Sequence, residues 1–544
     1  MPSTTATDSH RPVTIGGAER WPDGHPKRRQ ILLVLCLSLL IVVVDGTVLN
    51  TALPTLARDL PAGTAALQWI TDAYTLVFAA LLIPAGAFGD RYGRRRALVG
   101  GLLVFAAGSL AAAFAPNAGV LVADRAVMGL GAAFVMPATL SILTTVFPAK
   151  ERPQAIAAWS AVAGVAVILG PTLGGALLSH FAWGSVFLVN LPLVALALAG
   201  VSAVVPETAA GGRGRLDLVG TVLVAFALVV IVDAIIEAPG RGWTGATTLG
   251  EAGLGLLLLG GFVVWELRSA APLLDLRVFA SRAFSASVLS VTVIFFALFG
   301  SLFVLTQYLQ LVHGYSPFGA GVRALPFALA MGAVAPLSTT IAKKLGTRLV
   351  VPAGLALMGL GLADLSTAGV HTPYPPLAVA VAIMGAGMGL VMAPASDTIM
   401  ASVPADQAGA GSAVNDTVRE VGGALGVAVV GSVAAAAYGH SLGRILTSHH
   451  APPVVVHAAT GSVAAADAVG AKVGGPVGAE LVAAAHSSFV SAMSTGLKMS
   501  AAVAVLGAVV TFVTLPRRSA PVAVAAEATT PAPAGDPALL GAAA

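Results

Sequence analysis

Ionisable residues inside long apolar stretches are the positions at which this sequence could do chemistry. A charged side chain inside a hydrocarbon core costs about 2.5–3.5 kcal/mol on insertion scales, so each must face a cavity or a partner. A carboxyl group held away from water can bind and release a proton. The positions are Asp45, Asp72, Asp124, Arg125, Asp233, Asp364, Asp397, Asp416, Arg419 and Glu420.

Asp45 is the strongest candidate for a proton-binding site. It lies about two thirds along the first apolar stretch, where loss of water favours the neutral acid and a nearby arginine would favour the carboxylate. A purely structural ion pair is the alternative. Asp72 lies one turn from Gln68 in the second stretch, nearer the predicted outer mouth, and is a further candidate for proton or substrate binding.

A second group of charges lies near residue 420. Asp416, Arg419 and Glu420 are spaced i, i+3 and i+4, which places them on one helix face. One arginine cannot fully neutralise two close acids in a poorly solvated site. We therefore predict that Asp416 or Glu420 is a second proton or cation site, with a static ion-pair network as the alternative.

The elements that must position these residues are membrane-spanning helices. Hydrophobic residues make up 57% of the chain, charged residues 10%, and the mean hydropathy is +0.90, whereas soluble domains carry about 25% charged residues. Apolar stretches of about 20 residues recur between residues 31 and 515, each long enough to cross a bilayer. About fourteen such stretches predict an all-α polytopic membrane protein.

Basic residues are concentrated in every second loop between the apolar stretches. They precede the first stretch and follow the second, fourth, sixth, eighth, tenth and last, which predicts a multi-pass protein of the cytoplasmic membrane with both termini cytoplasmic. Orientation explains the net charge of +4, so nucleic-acid binding has no support. These residues are Lys27, Arg28, Arg29, Arg91, Arg94, Arg95, Arg96, Lys150, Arg152, Arg213, Arg215, Arg268, Arg277, Arg282, Lys343, Lys344, Arg348, Arg517 and Arg518.

The stretches group into two halves. A weak repeat relates residues 342–348 to residues 89–95, as two parallel halves predict. We predict a six-helix bundle over residues 31–205, an inserted helix pair over 217–268 and a second six-helix bundle over 283–517. Residues 439–487 are predicted to form an external loop, and residues 1–30 and 518–544 to be disordered cytoplasmic tails.

Two glycine-rich segments predict moving parts. Residues 86–96 form a short basic loop in which glycines let the helix ends approach each other closely and let the chain turn sharply. Asp90 in this loop can accept hydrogen bonds from the N-terminus of another helix, and we expect that helix to begin near residues 408–411. The predicted gating residues are Gly86, Gly89, Asp90, Arg91, Gly93 and Arg94. The fifth stretch combines a proline kink with close-packing glycines: Gly164, Gly170, Pro171, Gly174 and Gly175.

Four passages together resemble a known family. Residues 45–54, 86–96, 125–131 and 170–175 are similar to the motifs of the major facilitator superfamily, and more narrowly of its fourteen-span drug:proton antiporter branch, over residues 31–515. The resemblance implies the major facilitator fold, with two six-helix bundles plus two inserted helices. It also implies that Asp90 locks the cytoplasmic side, that Arg125 partners Asp45 in proton coupling, and that the fifth span seals against leak.

These observations predict a function. We expect a proton-coupled antiporter that exports amphipathic drugs, antibiotics or toxic metabolites and is not an enzyme. Its predicted partners are a hydrophobic or amphipathic small molecule, protons and membrane lipid, and we expect a monomer. No cofactor beyond the proton gradient and no metal is predicted, since the chain has no nucleotide-binding loop of the Gly-Lys-Ser/Thr type. A lipid or lipid-precursor translocase, or an uptake transporter for a small solute, is the alternative.

Overall fold

The computed structural model describes residues 13–15, 18–21, 24–148, 150–208, 217–270, 272–403 and 408–516. Within these ranges the chain is almost entirely helical and holds fourteen helical spans that are long and apolar enough to cross a membrane, which confirms the predicted fold class. A short antiparallel hairpin, β1 (Val13–Ile15) and β2 (Ala18–Arg20), precedes the first helix.

The helices divide into three consecutive groups. The first group is α1 (Arg28–Asp59), α2 (Thr64–Tyr92), α3 (Arg94–Ala112), α4 (Ala118–Val146), α5 (Arg152–His180), α6 (Ser185–Leu188) and α7 (Asn190–Val204). A pair follows, α8 (Leu218–Arg241) and α9 (Ala246–Arg268). The last group is α10 (Arg282–Gln307), α11 (Pro317–Arg323), α12 (Leu325–Leu345), α13 (Thr347–Leu365), α14 (Tyr374–Ala401), α15 (Ala408–Ser448), α16 (Pro453–Thr460), α17 (Val463–Val473) and α18 (Gly475–Thr514).

Local sequence signals set several of these helix ends. The side chain of Asn117 accepts a hydrogen bond from the backbone N–H of Val120 at the start of α4, and Asp217 accepts one from Gly220 at the start of α8. Such caps satisfy N–H groups that a helix leaves unpaired at its start. A π-helical turn, Tyr308–Val312, extends α10.

The predicted internal repeat has a counterpart in backbone geometry. Gly93 ends α2 and begins α3 with φ 117°, and Gly346 ends α12 and begins α13 with φ 86°. Only glycine adopts such angles without strain, so each supports an abrupt turn between two helices. These two glycines occupy the same position in the weak repeat.

Helix packing repeats in the same way. In the first group α4 packs on α2 and α3, and α1 packs on α5 and α7. In the last group α14 packs on α12 and α13, and α10 packs on α15 and α18. The chain therefore contains two halves with one packing scheme, as parallel repeats in a transporter predict.

The α8–α9 pair lies against the seam between these halves. α8 contacts both α2 and α15, and a separate apolar cluster forms there. Its buried members are Leu76, Val232, Ile236, Ala424 and Ala428. α8 thus covers the seam between α2 and α15.

The two halves touch at one end, which we call the closed end. All described hydrogen bonds between the halves lie there, from Thr64 to Gly461, from Gln68 to α15 and from Gln310 to Thr51. The opposite end holds the start of α1 and the end of α18, and we call it the terminal end. The described hydrogen bonds that join the halves therefore lie on one side of the molecule.

Two predicted segments look different in the structure. Residues 439–487, expected to form a loop, continue α15, form α16 and α17, and begin α18, because alanine- and valine-rich runs pack along the closed end as helices. Part of the 1–30 tail is ordered, since His25 donates its backbone N–H to Val146 and Trp21 is buried. Residues 209–216, which connect the first bundle to the helix pair, and the residues after 516 lie outside the described residues.

Candidate functional site

A buried ion pair joins α1 to α4. Nη1 of Arg125 donates to Oδ2 of Asp45 at 2.5 Å, and the two side chains are only 1% and 3% exposed. Nε of Arg125 also donates to the backbone carbonyl of Ile70 at 3.2 Å. The structure thus brings together the two residues that the family motifs imply are partners.

Neutral polar groups complete this site. Nδ2 of Asn190 donates to Oδ1 of Asp45 at 3.0 Å and to the hydroxyl of Ser109 at 3.1 Å. The guanidinium carbon of Arg125 lies 4.2 Å from the centre of the Tyr74 ring, a cation–π contact. Sequence reasoning missed Asn190, Ser109 and Tyr74 because it selected only charged residues. Their signal was a polar side chain inside an apolar span.

Glycines let α4 carry its arginine close to the neighbouring helices. A Cβ on Gly129 would overlap the backbone carbonyl oxygen of Tyr74, and one on Gly131 would lie 2.5 Å from the backbone nitrogen of Phe105. No larger residue fits these crossings without backbone movement. The motif around Arg125 therefore combines the charge with the glycines that place it.

The second charged group lies on α15. Nη1 of Arg419 is 3.4 Å from Oδ1 of Asp416, and Nη2 donates to the hydroxyl of Ser396 at 3.3 Å. Glu420 is partly buried and forms no ion pair among the described residues. Arg419 therefore pairs with one of the two acids.

Asp72 is fully buried on α2. Neither of its carboxylate oxygens has a hydrogen-bond partner among the described residues. It lies one turn from Leu76, on the side of α2 that meets α8 and α15. A buried carboxylate without a partner is very costly, which keeps Asp72 a candidate for proton binding.

The gating loop lies at the terminal end. Oδ1 of Asp90 accepts from Nε of Arg94 at 2.7 Å, and Arg94 also donates to Thr145 and Ser141 on α4. A Cβ on Gly86 or Gly89 would contact Pro137 or Ala97 at 3.4 and 3.3 Å, respectively. The guanidinium of Arg91 lies over the ring of Tyr92.

The predicted partner of Asp90 falls largely outside the described side chains. Residues 404–407 and the side chains of residues 408–410 lie outside the part of the chain that the structure describes. In the described part of the loop, Asp90 pairs with Arg94 in its own half. A lock between Asp90 and α15 stays a prediction, and it belongs to the conformation in which the terminal end closes.

The glycine-rich fifth span contacts both α1 and α11. A Cβ on Gly170 would overlap the hydroxyl of Thr47, and one on Gly174 would lie 3.1 Å from Val48. A Cβ on Gly175 would lie 2.5 Å from Cα of Phe318. Gly164 differs, because nothing lies within 4 Å of its Cβ position.

Two glutamines connect the halves at the closed end, and sequence reasoning assigned neither to a gate. Nε2 of Gln68 lies within 2.8–3.2 Å of the carbonyls of Val427 and Ala428 and the hydroxyl of Ser432. Nε2 of Gln310 donates to the carbonyl of Thr51 at 2.9 Å. Both amides are buried. They form a polar latch within an apolar seam.

Removal of this latch is expected to open the closed end. Gln68→Leu loses its hydrogen bonds to α15, each worth about 0.5–1.5 kcal/mol. The measurement is the maleimide labelling rate of a cysteine at Val463, a buried closed-end residue, in a Cys36→Ser background. We expect labelling about fivefold to tenfold faster.

Gln307→Leu is the matched control. The Gln307 amide is also buried but donates to the carbonyl of Phe303 in its own helix. Equal labelling rates in the two leucine variants would show that Gln68 does not hold the halves together.

Two repeated helix bundles with buried charges at membrane depth define a membrane transporter. The family model of the Major Facilitator Superfamily matches residues 35–427. The chain belongs to this superfamily, which confirms the family predicted from the motifs.

Several curated proteins are similar over most of the chain. The multidrug resistance protein Stp of Mycobacterium tuberculosis (strain CDC 1551 / Oshkosh) is 37% identical over 75% of this chain and 76% of its own length. The multidrug efflux pump LfrA of Mycolicibacterium smegmatis is 35% identical over 88% of this chain and 95% of its own. The tetracenomycin C resistance and export protein of Streptomyces glaucescens is 32% identical over 93% and 94%.

Solved transporters share the fold. A bacterial homologue of the human lysosomal transporter Spinster, in an inward-facing and unoccupied conformation, superposes with a TM-score of 0.65 at 19% identity. The match covers 90% of this chain and 98% of that one. A peptide transporter of the POT family gives a TM-score of 0.61 at 16% identity over 94% and 97%. At such identities the likeness concerns the fold alone.

Proposed function

We propose that this protein exports amphipathic drugs, antibiotics or toxic metabolites across the cytoplasmic membrane in exchange for protons. The observation that carries the proposal is the buried Asp45–Arg125 pair, held by Asn190 and Tyr74 inside the first half. Relatives named as multidrug efflux, resistance and export proteins support the direction of transport and the substrate class.

The chemistry of Asp45 explains how a proton could drive the cycle. As a carboxylate it holds Arg125 and accepts from Asn190, which ties α1 to α4 and α7. Protonation removes the charge that balances the arginine, so this arrangement loses its main attraction. The two charge states of Asp45 therefore favour different helix arrangements, which is the requirement for coupling proton binding to a change in access.

The acids of the second half extend this scheme. Asp416 and Glu420 flank one arginine, and among the described residues that arginine pairs with Asp416 at 3.4 Å. We therefore assign Asp45 to proton coupling, and Asp416, Arg419 and Glu420 to a second proton or substrate-cation site. Asp72 is proposed to bind a proton at the seam.

In the proposed orientation both termini lie in the cytoplasm. We propose that the protein works as a monomer in the membrane. The described hydrogen bonds between the halves then lie on the outer side of the membrane. One proton moving through 100 mV supplies about 2.3 kcal/mol, or roughly a fiftyfold concentration ratio. A single coupled proton is enough for useful export.

A reconstituted transport assay tests the proposal. Proteoliposomes with a pH dye inside and an imposed pH gradient are given ethidium or another amphipathic dye. We expect dye movement against its gradient, proton movement in the opposite direction, and loss of both with an uncoupler. Dye and protons moving in the same direction would indicate uptake. Flipping of a labelled lipid without proton movement would indicate a lipid translocase, and either result contradicts the proposal.

A further inference from the structure

A polar cleft opens on the outer surface of the second half, away from the transport site. It lies between the end of α13 with its following turn and the face of α18, and its volume is about 400 Å³. Hydroxyl groups and one ammonium line it. The lining includes Ser366, Thr367, Ser487, Ser491, Thr495 and Lys498.

The cleft carries positive charge without a protein counter-ion. Lys498 is exposed and is the one charged side chain in the lining. Among the described residues it forms no ion pair, and the hydroxyls of Ser487 and Ser491 have no side-chain hydrogen-bond partner. Ser494 beside them is already engaged, since its hydroxyl donates to the carbonyl of Ser366 at 2.6 Å. Lys498, Ser491 and Ser487 thus present three donors along one face of α18.

The position of Lys498 along α18 places the cleft at the far membrane interface. Lys498 lies about 24 Å along the helix axis from Thr514, at about 1.5 Å per residue, and a hydrocarbon core is about 30 Å thick. Lysine at this depth reaches the headgroup region. Ser487, three turns further from Thr514, then lies among the headgroups.

The surface of α18 below the cleft is apolar. Leu506, Val509 and Val513 are exposed by 63%, 55% and 69%, and they continue the helix face that carries Lys498. One face therefore changes from apolar to hydroxyl- and ammonium-bearing within a few turns. A molecule that matches it has an anionic, oxygen-rich head and hydrocarbon chains.

We propose that this cleft binds the phosphodiester headgroup of an anionic membrane phospholipid. The ammonium of Lys498 pairs with the phosphate. Ser491 and Ser487 lie about 10 and 16 Å further along α18, at about 1.5 Å per residue, and their hydroxyls donate to oxygens of the polar group that the phosphate carries. The acyl chains lie along Leu506, Val509 and Val513. The positive charge of the cleft, uncompensated by any lining carboxylate, favours phosphatidylglycerol over phosphatidylcholine.

Native mass spectrometry of the full-length protein tests this. The protein in detergent is titrated with phosphatidylglycerol, and the retained lipid per protein is counted. We expect Lys498→Gln to weaken retention about tenfold, the change that loss of one charge-assisted hydrogen bond produces. Lys498→Arg keeps the charge and is expected to retain the lipid.

Lys472→Gln is the matched control. Lys472 is an exposed lysine of α17 that does not line the cleft, so its loss is expected to leave retention unchanged. Thermal unfolding of each variant without lipid shows that both remain folded. Equal retention by the two glutamine variants overturns the proposal, as does equal retention of phosphatidylcholine. Competition by inorganic phosphate at equal concentration would identify a free-phosphate site and overturn the lipid assignment.

Discussion

Asp45→Asn is expected to abolish proton-coupled export and drug-driven proton movement. An amide cannot release a proton, so the residue no longer alternates between two charge states. The arginine at 125 also loses its counter-charge at a position that is 1% exposed. Removing one member of a buried pair costs about 3–5 kcal/mol. Dye efflux and pH change in proteoliposomes measure both losses.

Two further variants separate coupling from folding. Asp45→Asn/Arg125→Gln removes both charges, so it is expected to recover folded protein in the membrane without recovering transport. Asp233→Asn changes another membrane acid, but Asp233 is 31% exposed and shares Arg241 with other acids on the α8–α9 pair. We expect this variant to export normally. Export by Asp45→Asn at the wild-type rate would remove Asp45 from the coupling mechanism.

Sequence alone predicted the spans well because the free-energy cost of placing a segment in the bilayer depends on its local sequence. An apolar run of about 20 residues has few alternatives to crossing a bilayer. A charge inside such a run needs a partner, and the resemblance to the family motifs implied that Arg125 is the partner of Asp45, as the structure has it.

The same reasoning could not predict the roles of neutral polar residues. An amide or hydroxyl in an apolar span is cheaper to bury than a charge, so Asn190, Gln68 and Gln310 did not stand out. Their roles depend on which helices meet, which a sequence does not show without contacts. Gln68 reaches a helix more than 350 residues away in the chain.

The gating loop illustrates a different limit. The predicted role of Asp90 concerns contact between halves at the terminal end, whereas the structure joins the halves at the closed end. A sequence encodes both conformations at once, and one structure shows one of them. The pair of Asp90 with Arg94 is therefore compatible with a lock that forms when the terminal end closes.

The α5–α11 crossing offers the sharpest test of that alternation. Gly175 faces Phe318 so closely that its Cβ would lie 2.5 Å from that Cα and 2.6 Å from the carbonyl oxygen of Pro317. From the opposite helix, a Cβ on Gly321 would overlap the carbonyl oxygen of Pro171. The two helices thus touch through backbone at glycines on both sides, and added volume forces them apart.

Gly175→Val is expected to shift the protein toward the conformation open at the closed end. Overpacking costs typically about 1–3 kcal/mol, which corresponds to a population change of about five- to 150-fold. Labelling of a cysteine at Val463 reports it. Gly164→Val adds the same side chain to the same helix where nothing lies within 4 Å, so its labelling rate is expected to stay at the wild-type value. If both valines change the rate equally, helix propensity rather than the crossing is responsible, and α5 does not seal the closed end through Gly175.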